Sequence, residues 1–414
     1  MGLLQKSTAK QGVAVVYLPE GISRNSFHLP EDFAEWKVVD NSDRMEAEFA
    51  LTLPCEWFVT VITHDRFNEM YLEMLVWSEQ YPTVLKVVLQ DGLSPHQVAL
   101  LADITHRVLP LSLSGEEMVA ELEQCRRSEQ ILSQHRVKDM VDSIERLPSL
   151  PDVYVQLNNV LHDPDSDLQD VANVLVQDMA MTAKVLQMVN SSLFGIERKI
   201  TRIEEAVAYL GIRQIRDLVL TDRLFEQYPQ DPAWSSFSFA HVRDRSMLVA
   251  RLAQQVCRSV KAPQEVIDKA FVGALLQDFG MLIFATHDAE GYQKIMQQAT
   301  NMGQPLYALE KLRLGVTHTE AGAYLLRQWK LPSEVIETVM FHHFPNSSHI
   351  NRFSPLTAVH IADALLPDVS NALECRIASR LSMPYIERLG LQNMLTRWHI
   401  MAKQTADRAG LVLH

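Results

Sequence analysis

Two closely spaced leucine-proline pairs divide the chain into parts with different hydrophobic patterns. The pairs are Leu147-Pro148 and Leu150-Pro151. A helix is not expected to cross them, because a residue that precedes proline is pushed out of the helical region of backbone space. Short apolar runs rich in β-branched residues come before the pairs, and apolar positions spaced three and four residues apart come after them. The sequence therefore predicts that a second domain begins near residue 146.

Five apolar runs of strand length precede this boundary. In chain order they are Val13–Leu18, Trp36–Asp40, Trp57–Thr63, Val84–Leu89 and Arg107–Leu111. Helical patterns lie between them, and the clearest are Asn68–Gln80 and Ser94–Thr105. The second of these opens with Ser94-Pro95, an N-cap followed by proline at the first helical position. Continuous apolar strands that alternate with helices are typical of an α/β domain whose parallel sheet is covered on both faces.

The order and size of these elements resemble the receiver domain of bacterial response regulators, a flavodoxin-like fold, over roughly residues 10–125. The residues that a working receiver needs are largely missing. A single acidic residue, Glu20, follows the first strand in place of an acidic pair, and Leu109 stands where a receiver has lysine. We therefore predict a degenerate receiver-like domain at residues 1–125, used for contact rather than for phosphorylation.

Asp65 is the candidate phospho-acceptor of this domain. It follows the third strand in Thr63-His64-Asp65, one or two residues beyond the position that the receiver pattern assigns. Without an acid cluster there is little to hold a divalent cation by oxygen ligands. A solvated loop carboxylate is therefore the preferred interpretation, and we expect no phosphorylation at Asp65.

The segment 126–145 is predicted to be a linker helix. It continues the charged, helical pattern of Glu116–Val141, whose apolar repeat is too short for a coiled coil. The preferred interpretation is the last receiver helix extended into a linker. A signalling helix or a dimer contact is the alternative, so a homodimer stays open.

Four sequence blocks follow in a fixed order. They are Leu147-Pro148-x-Leu150-Pro151, Gln177-Asp178-x-Ala180-Met181-Thr182-Ala183-Lys184-Val185-Leu186, Asn190-Ser191 with Phe194-Gly195, and Ala206-Val207-x-x-Leu210-Gly211. Together they resemble the HDOD domain, which is related to HD-type metal phosphohydrolases. The resemblance implies an all-α domain at residues 146–370, a helical tail at 371–414 packed on it, and a regulatory or scaffolding role in bacterial signal transduction. Packing is the expected role of Asn190 and Gly211.

The resemblance also assigns a set of metal-ligand positions. An HD phosphohydrolase uses histidines and aspartates from several helices to hold metal ions that activate water. The matching residues here are His241, Asp278, His318, His342 and Asp363. Gln277 stands in place of the name-giving histidine, and an amide is a weaker metal ligand than imidazole. The resemblance therefore implies a vestigial metal site without catalytic residues or a required cofactor, with a bound divalent metal as the alternative.

Composition limits the partners and the compartment. The formal net charge is -13, which disfavours nonspecific attraction to nucleic acid or to anionic membranes. The four cysteines are far apart and form no C-x-x-C pair, as expected of core thiols in a reducing compartment. No apolar run approaches about 18 residues, and no export signal is present. We therefore predict a cytoplasmic protein without a membrane span and without direct nucleic-acid binding.

These observations favour a non-catalytic signalling scaffold that acts through protein-protein contacts of its helical domain. Two alternatives stay open. One is metal-dependent hydrolysis of a phosphate ester or nucleotide, with the five assigned residues as ligands. The other is a sensor that binds a small nucleotide without cleaving it.

Overall fold

The structure is a computed structural model of the whole chain. It describes residues 13–19, 22, 29–30, 33–39, 55–81, 83–102, 104–133, 135–144, 149–163, 166–191, 194, 199–226, 234, 237–368 and 375–409. The chain divides into two compact units, Met1–Gln130 and Ile131–His414. Among the residues on which the sequence predictions rest, Glu20, Leu147, Pro148 and Gly195 lie outside the described part.

The first unit is built on a five-stranded parallel sheet. In chain order its strands are β1 Val13–Tyr17, β2 Glu35–Val39, β3 Cys55–Thr63, β4 Leu85–Asp91 and β5 Arg107–Pro110. Across the sheet the order is β2-β1-β3-β4-β5, and every neighbouring pair is parallel. The predicted α/β class and all five predicted strands are confirmed.

Helices cover both faces of this sheet, which explains why its strands are apolar throughout. The described helices are α1 Phe67–Gln80, α2 Pro95–Ala102 and α3 Gly115–Leu132. On one face, side chains of α3 such as Met118 and Leu122 pack with Val59 of β3. On the other face, Met70 of α1 packs with Phe58, the residue next to Val59 in the strand. Successive strand residues point to opposite faces, so one strand serves both cores.

The described part of the second unit contains helices and no strand. Its helices are α4 His135–Asp142, α5 Asp152–His162, α6 Leu168–Val176, α7 Met179–Val189, α8 Ile203–Leu210, α9 Ile212–Glu226, α10 Phe239–Ser259, α11 Gln264–Leu276, α12 Gly280–His287, α13 Ala289–Asn301, α14 Leu306–Leu314, α15 His318–Gln328, α16 Ser333–Phe341, α17 Pro355–Leu365, α18 Met383–Arg388 and α19 Leu395–Arg408. The predicted helical character of this region is confirmed. The predicted linker segment 126–145 contains the end of α3 and the whole of α4.

Local signals explain where several helices begin and end. Pro151 is extended and directly precedes α5, as the sequence predicts. Gly211 adopts a φ of 85° between α8 and α9, a conformation that favours glycine. The Asn190 amide after α7 donates to the carbonyl of Ile200 at 2.7 Å and accepts from its N–H at 2.8 Å. Asn190 and Gly211 therefore have structural roles at helix ends.

The long helix α10 lies at the centre of the second unit and packs against α11, α17 and α19. The C-terminal helix α19 is anchored by Trp398, which is fully buried and donates its indole N–H to the Ser259 hydroxyl at 2.8 Å. Among the described residues, no helix is long and apolar enough to cross a membrane. The helices around α10 enclose one continuous apolar core, and a polar cluster lies inside it.

Candidate metal centre

Four metal-ligating side chains meet inside the second unit. They belong to Asp278, His318, His342 and His343, and one ligand atom from each lies within 4.8 Å of all the others. All four residues are buried, with exposed fractions of 1%, 0%, 0% and 6% in the same order. Asp278 lies between α11 and α12, His318 is the first residue of α15, and the two adjacent histidines follow α16. Three helix ends therefore bring the cluster together.

The chain has two local devices that position His318. Thr317 and Glu320 form a reciprocal capping box that begins α15 at this residue. Gly280 opens α12 directly opposite, and a Cβ atom at that position would lie 1.9 Å from the His318 carbonyl oxygen. Only glycine lets α12 approach the start of α15 this closely. The close approach holds Asp278, two residues before Gly280, beside the His318 ring.

The separations between ligand atoms suit a single metal ion. His318 Nε2 lies 3.5 Å from Asp278 Oδ1 and 3.2 Å from His343 Nε2. His342 Nε2 lies 3.8 Å from the same Asp278 oxygen. Tetrahedral bonds of about 2.1 Å require ligand atoms about 3.4 Å apart. The three separations lie close to that value.

The outward nitrogen of each histidine is held by a separate partner. Nδ1 of His318 lies 2.7 Å from the Glu310 carboxylate, Nδ1 of His342 lies 2.9 Å from a backbone carbonyl, and Nδ1 of His343 lies 2.8 Å from the Ser379 hydroxyl. Partners of this kind fix the ring orientation in metal sites and point Nε2 inward. Asp278 Oδ1 and His342 Nε2 have no hydrogen-bond partner within the described part of the chain. Two orphaned inward atoms and three oriented imidazoles fit a divalent metal ion.

Burial and nearby charge set the protonation of the three rings. Burial lowers the pKa of His318, but the carboxylates of Glu310 and Asp278 outweigh it and raise that pKa to about 10. Burial lowers the pKa of His342, and it lowers the pKa of His343 well below its usual range. At neutral pH and without a metal ion, the His318 ring is charged and balances buried carboxylates, while the other two rings are neutral. A bound metal ion would replace the His318 proton, since a ligating imidazole is neutral.

Asp363 lies beside the cluster but is fully engaged elsewhere. Its Oδ1 accepts from the Arg245 guanidinium at 2.5 Å and from the Gln277 amide at 2.9 Å. Its Oδ2 accepts the N–H of Ser379 at 2.7 Å. The same Gln277 amide also donates to Asp278 at 2.9 Å. Burial raises the pKa of Asp363, but the Arg245 charge reverses that effect and holds the pKa far below its usual range.

Comparison with known proteins identifies the family of the helical domain. The HDOD domain family model matches residues 147–345. Residues 147–345 form an HDOD domain. An uncharacterized protein of Treponema pallidum is 25% identical over 207 residues, which cover 49% of this chain and 39% of that protein. The match therefore spans about two fifths of the relative's length.

Several solved structures share the fold. An HDOD domain protein of unknown function from Geobacter sulfurreducens has a TM-score of 0.51 at 21% identity, covering 67% of this chain and 98% of that one. A candidate phosphohydrolase from Shewanella amazonensis has a TM-score of 0.50 at 21% identity, covering 67% and 99%. A candidate signal transduction protein from Marinobacter aquaeolei has a TM-score of 0.50 at 15% identity, covering 83% of each chain. At these identities the comparison supports the fold alone.

The five residues assigned by the sequence do not all meet in the HDOD domain. Asp278, His318 and His342 come together, and Asp363 lies beside them through Gln277. His241 is exposed in the first turn of α10, where its N–H is capped by Ser238, and it is not part of the cluster. In the first unit, Asp65 is exposed, and hydrogen bonds from Thr63 and its own backbone lower its pKa.

Four residues of the site were missed in the sequence. His343 had a visible signal, since it stands directly beside His342. Arg245 is 118 residues from its partner Asp363. Glu310 is only 8 residues from His318 but lies in no motif that would indicate it. Ser379 lies in a segment without regular structure. These residues supply the hydrogen bonds and the charge that keep the cluster in place.

Proposed function

We propose that this chain is a non-catalytic signal-transduction module whose HDOD domain serves as a scaffold for protein partners. The observation that carries the proposal is the ion pair between Arg245 and Asp363. In the HD layout an aspartate at this position ligates a catalytic metal ion. Here an internal guanidinium supplies the positive charge, and both carboxylate oxygens accept hydrogen bonds from the protein.

The geometry of the remaining cluster also argues against hydrolysis. Asp278, His318, His342 and His343 would hold a metal ion, and that ion would supply charge neutralisation and a cross-link between helix ends. A catalytic site keeps one coordination position open for water or substrate, whereas a structural site is closed by four protein ligands. Four buried donors, with three separations close to the tetrahedral value, describe the closed kind. A metal bound here would therefore stabilise the fold.

The first unit supports the same conclusion. Its strand order, β2-β1-β3-β4-β5, is the flavodoxin-like order that receivers also have. We therefore propose a degenerate receiver-like domain at residues 1–125, followed by a linker at 126–145. The edge where a receiver is phosphorylated carries exposed Asp65 and exposed Asp91, without the acidic pair or the lysine. We therefore propose that the first unit serves as a contact surface for protein partners.

Metal-dependent phosphate-ester hydrolysis is the second candidate. The grouping of four metal-ligating side chains is the observation that favours it, because a metal ion held there could activate water, and one similar fold belongs to a candidate phosphohydrolase. The closed cluster and the Arg245 ion pair weigh against it. The two proposals differ in a single measurable property, which is turnover by the metal-loaded protein.

The experiment is a hydrolysis assay on the purified full chain, loaded in turn with Zn²⁺, Mn²⁺ and Fe²⁺. Bis(p-nitrophenyl) phosphate and p-nitrophenyl phosphate serve as substrates. The scaffold proposal expects no release of nitrophenol above that of the His318→Ala variant. Turnover that His318→Ala abolishes and that exposed His241→Ala retains would establish the hydrolase instead. The His241 variant is the matched control because it also removes one imidazole.

A further inference from the structure

A cationic and aromatic surface lies directly outside the histidine cluster. His343 is the most exposed of the four clustered residues, and the Tyr307 ring covers it with centroids 4.4 Å apart and planes tilted by 32°. The Phe344 ring stands edge-on to Tyr307 at 4.7 Å. Tyr307 is half-buried and Phe344 is 43% exposed. Two aromatic side chains therefore reach solvent next to the cluster.

Arg376 and Arg380 border these rings. Both are exposed, and both lie on the segment that supplies Ser379 to the cluster. The Arg376 carbonyl accepts the N–H of Leu306 at 3.1 Å, which ties this segment to the start of α14 beside Tyr307. Both guanidinium charges act on the Tyr307 hydroxyl, because each of them opposes the rise that burial causes in its pKa.

Neither arginine has a side-chain hydrogen-bond or ion-pair partner within the described residues, so both exposed guanidinium groups are accessible to a ligand. Other arginines of the same unit pair with carboxylates, as Arg213 does with Asp268 and Arg223 with Glu226. The chain carries a net charge of -13, so acidic partners are abundant. The Tyr307 hydroxyl likewise makes no hydrogen bond within the described part of the chain. Donors for an anion therefore stand beside two accessible aromatic rings.

We infer that this surface, formed by Tyr307, Phe344, Arg376 and Arg380, binds a free mononucleotide. Guanidinium groups bind phosphate through charge-assisted and often bidentate hydrogen bonds. A nucleobase stacks on exposed aromatic side chains, a contact of about 1–3 kcal/mol per base. A ligand that carries both groups uses both halves of the surface, whereas a simple anion or an uncharged ring uses one.

The inference goes beyond the scaffold role and does not depend on it. Binding outside the cluster leaves the phosphate away from Asp278, so the nucleotide would be a signal rather than a substrate. The scaffold proposal fails if the protein hydrolyses phosphate esters. The present inference fails if the protein does not bind a nucleotide. The two outcomes are measured in separate assays.

The test is isothermal titration of the full chain with AMP and with GMP. Adenosine and inorganic phosphate serve as the half-ligands. We expect saturable binding of at least one nucleotide and at least tenfold weaker binding of both half-ligands. The Arg376→Gln/Arg380→Gln double variant should weaken nucleotide binding at least tenfold, since hydrogen bonds to charged groups contribute more than neutral ones.

Arg397→Gln is the matched control, because Arg397 is also exposed and lies on α19. It should retain nucleotide affinity within about twofold, in line with the small effects of changes at unrelated surface positions. Since both substituted arginines are exposed, circular dichroism should show folded variants.

Phe344→Leu provides a second test, because it removes the ring on which the base would stack and leaves both guanidinium charges in place. Three results would overturn the inference: no saturable binding at millimolar nucleotide, phosphate binding as tight as AMP, or equal losses in the control.

Discussion

The carboxyl edge of the parallel sheet and the histidine cluster of the HDOD domain both lie where related folds perform chemistry, yet they retain very different amounts of it. At the sheet edge the acidic side chains Asp65 and Asp91 are exposed, and no metal-ligand group forms there among the described residues. In the HDOD domain, four ligand side chains are buried and oriented by their own partners. The first region presents solvent-exposed carboxylates, and the second holds a buried set of ligand side chains.

Burial explains the difference. A polar group at a solvated edge can be replaced at little cost, because water satisfies whatever remains. A buried carboxylate or imidazole leaves its partners unsatisfied when it is removed, and that costs about 1–3 kcal/mol or more. In the HDOD domain the NH2 group of the buried Gln277 amide donates to both Asp278 and Asp363. A buried polar network of this kind therefore resists the substitution of any one member.

The largest expected effect comes from the Arg245→Met substitution. It leaves Asp363 as a buried carboxylate without its cation, and breaking a buried ion pair costs about 3–5 kcal/mol. Chemical denaturation followed by circular dichroism should show this loss of unfolding free energy. Exposed Arg397→Met is the control and should change stability by less than about 0.5 kcal/mol. A loss below about 1 kcal/mol for Arg245→Met would show that the ion pair does not hold the cluster together.

The close approach of α12 to α15 gives the next effect. Gly280→Ala places a Cβ atom 1.9 Å from the His318 carbonyl oxygen, so the two helices must move apart. Overpacking of this kind costs about 1–3 kcal/mol. Gly322→Ala is a milder change at the same contact and should cost less, since its new Cβ would meet the Gly280 backbone nitrogen at 3.2 Å. Equal unfolding midpoints for the two variants would contradict this account of how Asp278 and His318 are brought together.

Metal affinity tests whether the four clustered side chains together bind one metal ion. We expect the full chain to bind about one equivalent of Zn²⁺ in a competition titration with a chelating dye. Glu310→Gln should weaken binding about 10–100-fold, because it removes the carboxylate that orients His318. His241→Ala should leave the affinity unchanged. Equal losses in these two variants would place the ion outside the cluster.

A smaller effect belongs to the first unit, where Lys86 is buried in β4. Burial lowers the pKa of Lys86 to about 8, whereas an unfolded lysine titrates near about 10.4. Between these values the unfolded chain binds more protons, so stability rises as the pH increases. The unfolding midpoint of the first unit should therefore increase from about pH 8 to about pH 10 in the native chain and stay flat in Lys86→Met. Lys37→Met, on the edge strand β2 of the same sheet, should retain the rise.

The smallest effect is expected at the sheet edge. Incubation with acetyl phosphate and Mg²⁺ should not label Asp65, because the acidic pair and the lysine of a receiver are missing. Asp65→Asn should also leave the unfolding midpoint unchanged, as expected for an exposed side chain. Labelling that the Asn variant abolishes would show that the sheet edge has retained its chemistry, and would remove the contrast with the HDOD domain.

The amino-acid sequence by itself determined the elements of both units. Strand runs such as Val13–Tyr17 and helix starts such as Pro151 follow from residue spacing and backbone preference, which are local properties. The ordered blocks after residue 146 also indicated the HDOD domain correctly. Resemblance to the HD layout named Asp278, His318 and His342, the three assigned residues that meet in the cluster.

Only the tertiary structure decided how those residues are used. It places His241 at the surface, brings His343 into the cluster, and pairs Arg245 with Asp363 across 118 residues of chain. Such partners depend on how distant helices pack, so they cannot be predicted from the spacing of residues within one helix. The resemblance assigns Gln277 to the position of a histidine ligand, and the fold shows that buried Arg245 pairs with the Asp363 carboxylate while the Gln277 amide donates to it.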